Sequence, residues 1–108
     1  MADTRAGEPR IDVYDGCQAT QDESGPEIVY RLELAAATHL AAYVVDRGTV
    51  DVDVHILAGA IDGASCVARG HQSAVADVGP GTVYIVVDSF VSGGVIHDGE
   101  YVLALRAE

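Results

Sequence analysis

The sequence predicts an all-β fold, a single β-sandwich of about seven or eight antiparallel strands. Short segments carry apolar residues at every second position, and turn-forming residues recur roughly every 8 to 12 positions. The length of 108 residues suits one core and not two. Hydrophobic residues make up 49% of the chain and charged residues 21%, so we expect a folded domain rather than a disordered chain.

The chain is expected to begin with a flexible leader over residues 1–10, which are small and polar, so that the sandwich spans residues 11–108. The first predicted strand is IDVY, residues 11–14. A polar loop follows over residues 15–27, where aspartate, glycine and serine favour turns.

Three further strands, 28–34, 39–45 and 50–57, are predicted from the spacing of their apolar residues. The one candidate helix, LELAAATHLAAY, is suggested by alanines with high helix propensity. Its apolar spacing fits two strands with a turn at 36–38 equally well, and the strands on both sides favour a hairpin.

Glycine-containing turns separate the remaining strands. DRGT is expected to form a tight turn in which Gly48 supplies a positive φ. The glycine- and alanine-rich middle of the chain contains a short predicted strand at 66–69. Segment 82–90 has the strongest β signal, because β-branched and aromatic residues follow the turn residues GPG, and strand 100–106 closes the domain.

Segment 50–57, VDVDVHIL, places two carboxylates and an imidazole in one row. With a period of two, the valines share one face, and Asp51, Asp53 and His55 share the other. The row fits a calcium site completed by Asp88, a hydrogen-bond network with loop amides, or a solvated face. Zinc is the less attractive cation, since one histidine with two aspartates is a poor ligand set for it. We expect the valines in the core and the aspartates holding a neighbouring loop or an ion. His55 is expected to be incidental, and it would make the loop pH-sensitive only if it titrates near neutrality.

The net charge of −11 argues against nucleic acid and anionic membranes as partners, since both would be repelled. No apolar run approaches the roughly 20 residues that span a bilayer. The start of the sequence has no apolar core typical of a signal peptide, and we expect the domain to come from a longer precursor.

Two cysteines, Cys17 and Cys66, have no CxxC or zinc-binding spacing. They are either free thiols or one disulfide. Each lies beside turn-forming residues, where a free thiol would be exposed, which favours the bridge. A disulfide indicates an oxidising compartment and therefore a secreted, extracellular or periplasmic protein.

Four segments in order, GPEIVYRLEL, VDVDVHIL, PGTVYIVVDSF and GEYVLAL, resemble the bacterial pre-peptidase C-terminal (PPC) domain family over about residues 11–106. The family pattern combines an aromatic-bearing strand, a D-x-D strand, a G-x-Y-x-V-x-V-D strand and a closing G-x-Y-x-L strand. Its characteristic positions are held here by Tyr30, Asp51, Asp53, Gly81, Asp88, Gly99, Tyr101 and Leu103. Val83 stands at the family's second tyrosine position, and His55 stands where relatives carry an aromatic or aliphatic residue.

The resemblance implies a jelly-roll-like accessory domain of a secreted bacterial hydrolase or peptidase, without catalysis of its own, that aids secretion, folding or attachment. Its expected partners are the parent enzyme or an extracellular protein or polysaccharide. Relatives at the end of bacterial collagenases bind collagen and calcium, so calcium is the expected cofactor if there is one. The alternative is a dedicated carbohydrate- or protein-binding module that uses surface tyrosines and loop carboxylates.

Five carboxylates are the candidate calcium ligands. Asp22 and Glu27 lie in the acidic loop, and Asp51, Asp53 and Asp88 lie on strands. In the collagenase relatives, an acidic segment of this kind before the corresponding strand supplies ligands. The spacing does not reproduce an EF-hand loop, and a loop of this composition is more often simply a loop, so both interpretations stay open.

No catalytic motif is present: the sequence contains no G-x-S-x-G elbow, no HExxH and no phosphate-binding glycine loop. We therefore expect that the chain is not an enzyme. Tyr30 and Tyr101 share faces with leucines and are expected in the core, whereas Tyr14 is the best candidate for an exposed ligand contact.

Overall fold

The computed structural model describes residues 2–108 and contains two four-stranded antiparallel sheets packed face to face. The strands are β1 (Ala2–Asp3), β2 (Glu27–Leu34), β3 (Thr38–Asp46), β4 (Val52–Ala58), β5 (Cys66–Gly70), β6 (Ser73–Val78), β7 (Gly81–Ser89), β8 (Val91–Ser92), β9 (Val95–Ile96) and β10 (Glu100–Ala107). Three short 3₁₀ helices, Thr4–Ala6, Asp15–Cys17 and Gly63–Ser65, are the helices of the described residues, and none is long and apolar enough to cross a membrane.

The first sheet has the strand order β1-β10-β3-β6, and the second has the order β2-β7-β4-β5. Strands β8 and β9 form a separate small hairpin. The predicted all-β sandwich is confirmed, with about ten strands instead of seven or eight.

The core lies between the two sheets and follows the period-two pattern. In β4, Val52, Val54 and Ile56 are fully buried against the opposite sheet, as predicted for the valine face of VDVDVHIL. From β7, Val83, Ile85 and Val87 join the same cluster. Alternation alone therefore predicts correctly which side of β4 faces the other sheet.

The turn at residues 36–38 is confirmed, since β2 ends at Leu34 and β3 begins at Thr38. The expected hairpin is wrong, because β2 and β3 belong to different sheets and the chain crosses between them. Gly48 has φ 67°, so the predicted positive φ in the DRGT turn is confirmed.

Residues 11–14 do not form the predicted strand. Ile11 and Tyr14 are both buried, and two residues three positions apart point to opposite faces of a strand. The segment instead crosses the outer face of the second sheet. Conversely, β6 was not predicted, because its inward positions include the small residues Ala74 and Ala76, which give a weak β signal.

The start of the expected leader packs against the sandwich, and its flexibility stays a prediction. Ala2 and Asp3 pair with β10, and the buried Thr4 exchanges hydrogen bonds with Gly99, at 2.9 Å from the Gly99 amide to Thr4 Oγ1. Met1, the first residue of the predicted leader, lies outside the described residues.

Residues 8–26, here called the strap, cover the outer face of the second sheet. Ile11, Tyr14 and Ala19 of the strap form a second buried cluster with Leu57 and Val86 of that sheet. The predicted bridge between Cys17 and Cys66 is confirmed; it joins the strap to the start of β5.

Replacing Cys17 and Cys66 together by alanine is expected to lower the free energy of unfolding by ~4 kcal/mol, because the bridge joins residues 49 positions apart and restricts the unfolded chain. Urea unfolding of the variant and of the oxidised protein measures the difference. Reduced wild-type protein serves as the control and should match the variant. Equal stability of all three samples would show that the bridge contributes nothing.

Candidate functional site

The acidic row of VDVDVHIL faces away from the core, yet it is buried except for Asp51, which is half-buried. Asp53, His55 and Leu57 lie on the outer face of the second sheet, and none has any exposed surface. The strap covers them. Of the alternatives for this row, the geometry of Asp53 fits a contact with a neighbouring loop and not a solvated face.

Four carboxylates lie beneath the strap, each at most 3% exposed: Glu23, Glu27, Asp53 and Asp88. Three of them form a row across the sheet, since Glu27 of β2 is opposite Asp88 of β7, and Asp88 is opposite Asp53 of β4. Glu23 comes from the strap itself. A buried carboxylate is stabilised by a proton, by a cation or by several hydrogen-bond donors, and each of the three is present in this site.

Asp88 is linked to the strap through Tyr14. The Tyr14 hydroxyl lies 2.5 Å from Asp88 Oδ2, and the Ser89 amide donates to Asp88 Oδ1 at 2.8 Å. Burial raises the pKa of Asp88 to about 9, with Glu27 and Asp12 adding repulsion and the Tyr14 and Ser89 hydrogen bonds opposing the rise. Asp88 therefore carries a proton at neutral pH. Burial, together with the carboxylates nearby, also raises the pKa of Tyr14.

Glu23 and Asp53 form a second contact between strap and sheet. Burial and the shared hydrogen bond with Asp53 raise the pKa of Glu23 far above its ordinary value. Burial alone would raise the pKa of Asp53 as well. The hydrogen bonds from Glu23 and His71 and the charge of Arg69 outweigh burial, so the pKa of Asp53 is lowered. The proton of the pair therefore resides on Glu23, and Asp53 is the ionised partner.

Asp53 has two further partners from the edge of the sheet. Arg69 of β5 donates from Nη2 to Asp53 Oδ2 at 2.9 Å, and His71 Nδ1 lies 2.8 Å from Asp53 Oδ1. The Arg69 side chain is largely buried, whereas that of His71 is 68% exposed. The imidazole therefore has a buried carboxylate on one side and solvent on the other.

Glu27 holds the beginning of the strap. Its Oε1 accepts hydrogen bonds from the amides of Arg10 at 2.6 Å and Ile11 at 2.5 Å. Burial raises the pKa of Glu27, although these two amides oppose the rise. Each of the four buried carboxylates thus contacts the strap or belongs to it.

His55 stacks on Tyr14, with ring centroids 3.5 Å apart and an interplanar angle of 11°. Its Nδ1 lies 3.3 Å from the Val86 carbonyl oxygen. Burial lowers the pKa of His55 to about 3, so the ring stays neutral at physiological pH. Its partner in the structure is an aromatic ring of the strap, and it is not a switch near neutrality.

The candidate calcium ligands are only partly brought together. Asp22 is exposed and accepts the Ser24 amide at 3.0 Å, whereas Glu27 and Asp88 are occupied by the strap contacts. Among the described residues, Asp51 and Asp53 alone of the five join a group able to hold one ion, and its third member is His71. Calcium binding stays a prediction.

Sequence reasoning missed Arg69 and His71. His71 sits in the tight turn between β5 and β6, and because β6 was not predicted, neither was this turn. The register of β4 with β5 pairs His55 with Arg69 and so brings the arginine next to Asp53. A predicted β5–β6 hairpin beside β4 would have been the signal that identifies both residues.

Tyr14 corrects a sequence-based expectation. It is fully buried and is not an exposed ligand contact, because the strap turns it onto His55 and Asp88. Tyr101 is buried as predicted and its hydroxyl lies 2.7 Å from that of Tyr30, which packs against the core. Of the five tyrosines, Tyr43 is the exposed one, at 43%.

The outer face of the first sheet has the opposite character. Its exposed apolar side chains form a group, here called the valine face: Tyr43, Val45, Val75 and Val102. Val45 of β3 is directly opposite Val102 of β10, and Tyr43 is opposite Ala104. No segment within residues 2–108 covers this face as the strap covers the other.

No protein-family description matches the chain, and no curated protein matches it significantly. The resemblance to the PPC family therefore stays a prediction.

The free energy of unfolding is expected to fall as pH rises from about 4 to about 9. Asp88 has an ordinary pKa of 3.8 and a native pKa of about 9, so across this range the native state holds a proton that the unfolded chain releases. In Asp88→Asn, the amide replaces the protonated carboxyl and does not titrate, so the decline should be smaller. Urea unfolding at several pH values tests this, with Asp98→Asn on the surface as the control. An unchanged slope in Asp88→Asn would contradict the assignment.

Tyr14→Phe is expected to lower the free energy of unfolding by about 1–3 kcal/mol, because it leaves a buried oxygen of Asp88 without its partner. Tyr43→Phe is the matched control, since the hydroxyl of an exposed residue is solvated, and its effect should stay within about 0.5 kcal/mol. Chemical denaturation of both variants at neutral pH gives the comparison. Equal losses would mean that the Tyr14–Asp88 contact is not stabilising.

Proposed function

We propose that the chain is a non-catalytic accessory domain of a secreted protein, and that it attaches its parent to a protein surface through the valine face. A small domain braced by a disulfide is compatible with an extracellular or periplasmic location. The PPC resemblance supports the same kind of role, since those domains are appended to exported enzymes.

The observation that carries the proposal is the exposure of the valine face. Val45 is 66% exposed and Val102, directly opposite it, 49%. Val75, 48% exposed, lies further along the same side of the sheet, with Tyr43 between it and Val45. Contiguous exposed apolar residues on a soluble domain mark interaction surfaces.

Charged pairs border the apolar centre of this face. His39 Nδ1 lies 2.6 Å from Asp77 Oδ1, and Arg106 forms an ion pair with Glu108. These residues lie toward one end of strands β3, β6 and β10, beyond Tyr43 and Val75. An apolar centre with a polar rim is the usual anatomy of a protein–protein interface.

The composition of the face favours a protein over a polysaccharide. Carbohydrate modules stack sugars on flat aromatic rings, and this face offers a single exposed tyrosine, Tyr43, among aliphatic side chains. Loop carboxylates were the other part of the carbohydrate-binding alternative, and two of them, Glu23 and Glu27, are buried beneath the strap on the opposite sheet.

The double variant Val45→Asp/Val102→Asp is expected to abolish attachment, because it places two charges at the centre of the valine face. Cosedimentation of the purified chain with insoluble collagen, elastin, cellulose and chitin measures binding. Val67→Asp is the matched control, since Val67 is equally exposed, at 50%, on β5 of the other sheet. We expect binding to a protein fibre that the control retains. Failure to bind either protein fibre, or binding that survives the double substitution, contradicts the attachment role.

A further inference from the structure

We propose that Glu23, Asp51, Asp53 and His71 form a binding site for a divalent transition-metal ion such as zinc, located where the strap meets β4 and the β5–β6 turn. The site lies on the opposite side of the sandwich from the valine face, so the test of metal binding is independent of the test of the proposed attachment.

The geometry of three of these residues already suits one ion. Ligand atoms of Asp51, Asp53 and His71 all lie within 4.8 Å of one another, and Asp53 Oδ1 is 2.8 Å from His71 Nδ1. Zinc–oxygen and zinc–nitrogen bonds are about 2.0–2.2 Å long, which places ligand atoms about 3.5 Å apart around a tetrahedral ion. The exposed His71 ring is free to make the small adjustment that this requires.

Glu23 provides the second, independent observation. It is 1% exposed, and neither of its carboxylate oxygens receives a hydrogen bond from an N–H or O–H group of residues 2–108. The group that it meets is the carboxylate of Asp53. Glu23 lies outside the group of atoms within 4.8 Å of one another, so its side chain must move toward Asp51 and His71 to become a ligand. Two carboxylates that face each other without a donor between them need a positive charge, which is either a proton or a metal ion.

The charge balance favours a divalent ion. The three carboxylates of the site face one permanent cation, Arg69, which bonds to Oδ2 of Asp53, while Oδ1 lies against His71 Nδ1. When all are ionised, two negative charges remain uncompensated. A proton on Glu23 neutralises only one of them, whereas a divalent ion neutralises both and replaces the missing donors.

The donor set distinguishes among metals. Calcium takes six to eight ligands, all of them oxygen atoms, so the imidazole nitrogen of His71 does not suit it. An imidazole nitrogen combined with carboxylate oxygens at a four-ligand site suits zinc, and the nitrogen gives selectivity over calcium and magnesium. Arg69, hydrogen-bonded to the same carboxylate, would orient Asp53 toward the ion.

A bound ion would connect three separate parts of the chain. Glu23 belongs to the strap, Asp51 directly precedes β4 and Asp53 lies within it, and His71 belongs to the turn between β5 and β6. Because these ligands come together only in the folded domain with the strap closed, the ion would bind the native state selectively and stabilise it by mass action.

The test is thermal unfolding of the full, oxidised chain after removal of metal with EDTA and dialysis, followed by titration with Zn²⁺ and separately with Ca²⁺. The expected result is a saturable rise of about 10 °C in Tm at a hundredfold excess of Zn²⁺ over its dissociation constant, with a much smaller rise for Ca²⁺. In NMR spectra, the ring signals of His71 should shift with Zn²⁺, and those of His39 should not.

Two variants locate the effect. His71→Gln removes an exposed ligand and is not expected to disturb folding, and Glu23→Gln supplies an amide donor in place of the proton. Both should abolish the Zn²⁺-dependent rise. His39→Gln is the matched control, because His39 forms a similar contact with an aspartate on the other sheet, and it should retain the rise. The proposal is overturned if Zn²⁺ leaves Tm unchanged, if the rise survives in both variants, or if Ca²⁺ gives an equal rise that His71→Gln does not reduce.

Discussion

The closure of the strap over an acidic sheet face is the constraint on which the rest of this structure depends. Glu27, Asp53 and Asp88 lie in one row across three strands, and a row of adjacent ionised carboxylates cannot be buried without compensation. The strap supplies that compensation from its own backbone and side chains: two amides for Glu27, the Tyr14 hydroxyl for Asp88 and the protonated Glu23 for Asp53. The strap and the row are therefore stable only together.

The two outer faces of the sandwich differ because only one has its cover within residues 2–108. Beneath the strap, polar contacts with fixed partners specify a single register, since a shift of the strap would remove the Arg10 and Ile11 amides from Glu27 and the Tyr14 hydroxyl from Asp88. The side chains of the valine face have no such polar contacts with fixed partners. Its valines can pack against any complementary apolar surface, and this is a property suited to intermolecular contact. The polar face thus organises the domain, and the apolar face is available to other molecules.

Alternation along the strands was sufficient to predict the β-sandwich and the inward side of β4, because a period of two reflects a purely local property of the backbone. It did not reveal that the outer side of β4 is buried as well, since that depends on the strap, which has no period. Tyr14 was placed wrongly for this reason. The disulfide could be predicted from the turn residues around Cys17 and Cys66, and it was the one long-range signal in the sequence that brought the strap to the second sheet.

The same long-range dependence explains why the candidate metal site could be predicted only in part. Asp51 and Asp53 share a face by local geometry, but His71 reaches them through the β5–β6 turn, and Glu23 reaches them through the strap. Neither of these two long-range contacts can be predicted from the local sequence. The closed strap holds a proton on Glu23 that an open strap would release to water, and a metal ion would take the place of that proton. If the proposed ion binds, protons and metal ions compete for the same contact, and strap closure is then linked to both through Glu23 and Asp53.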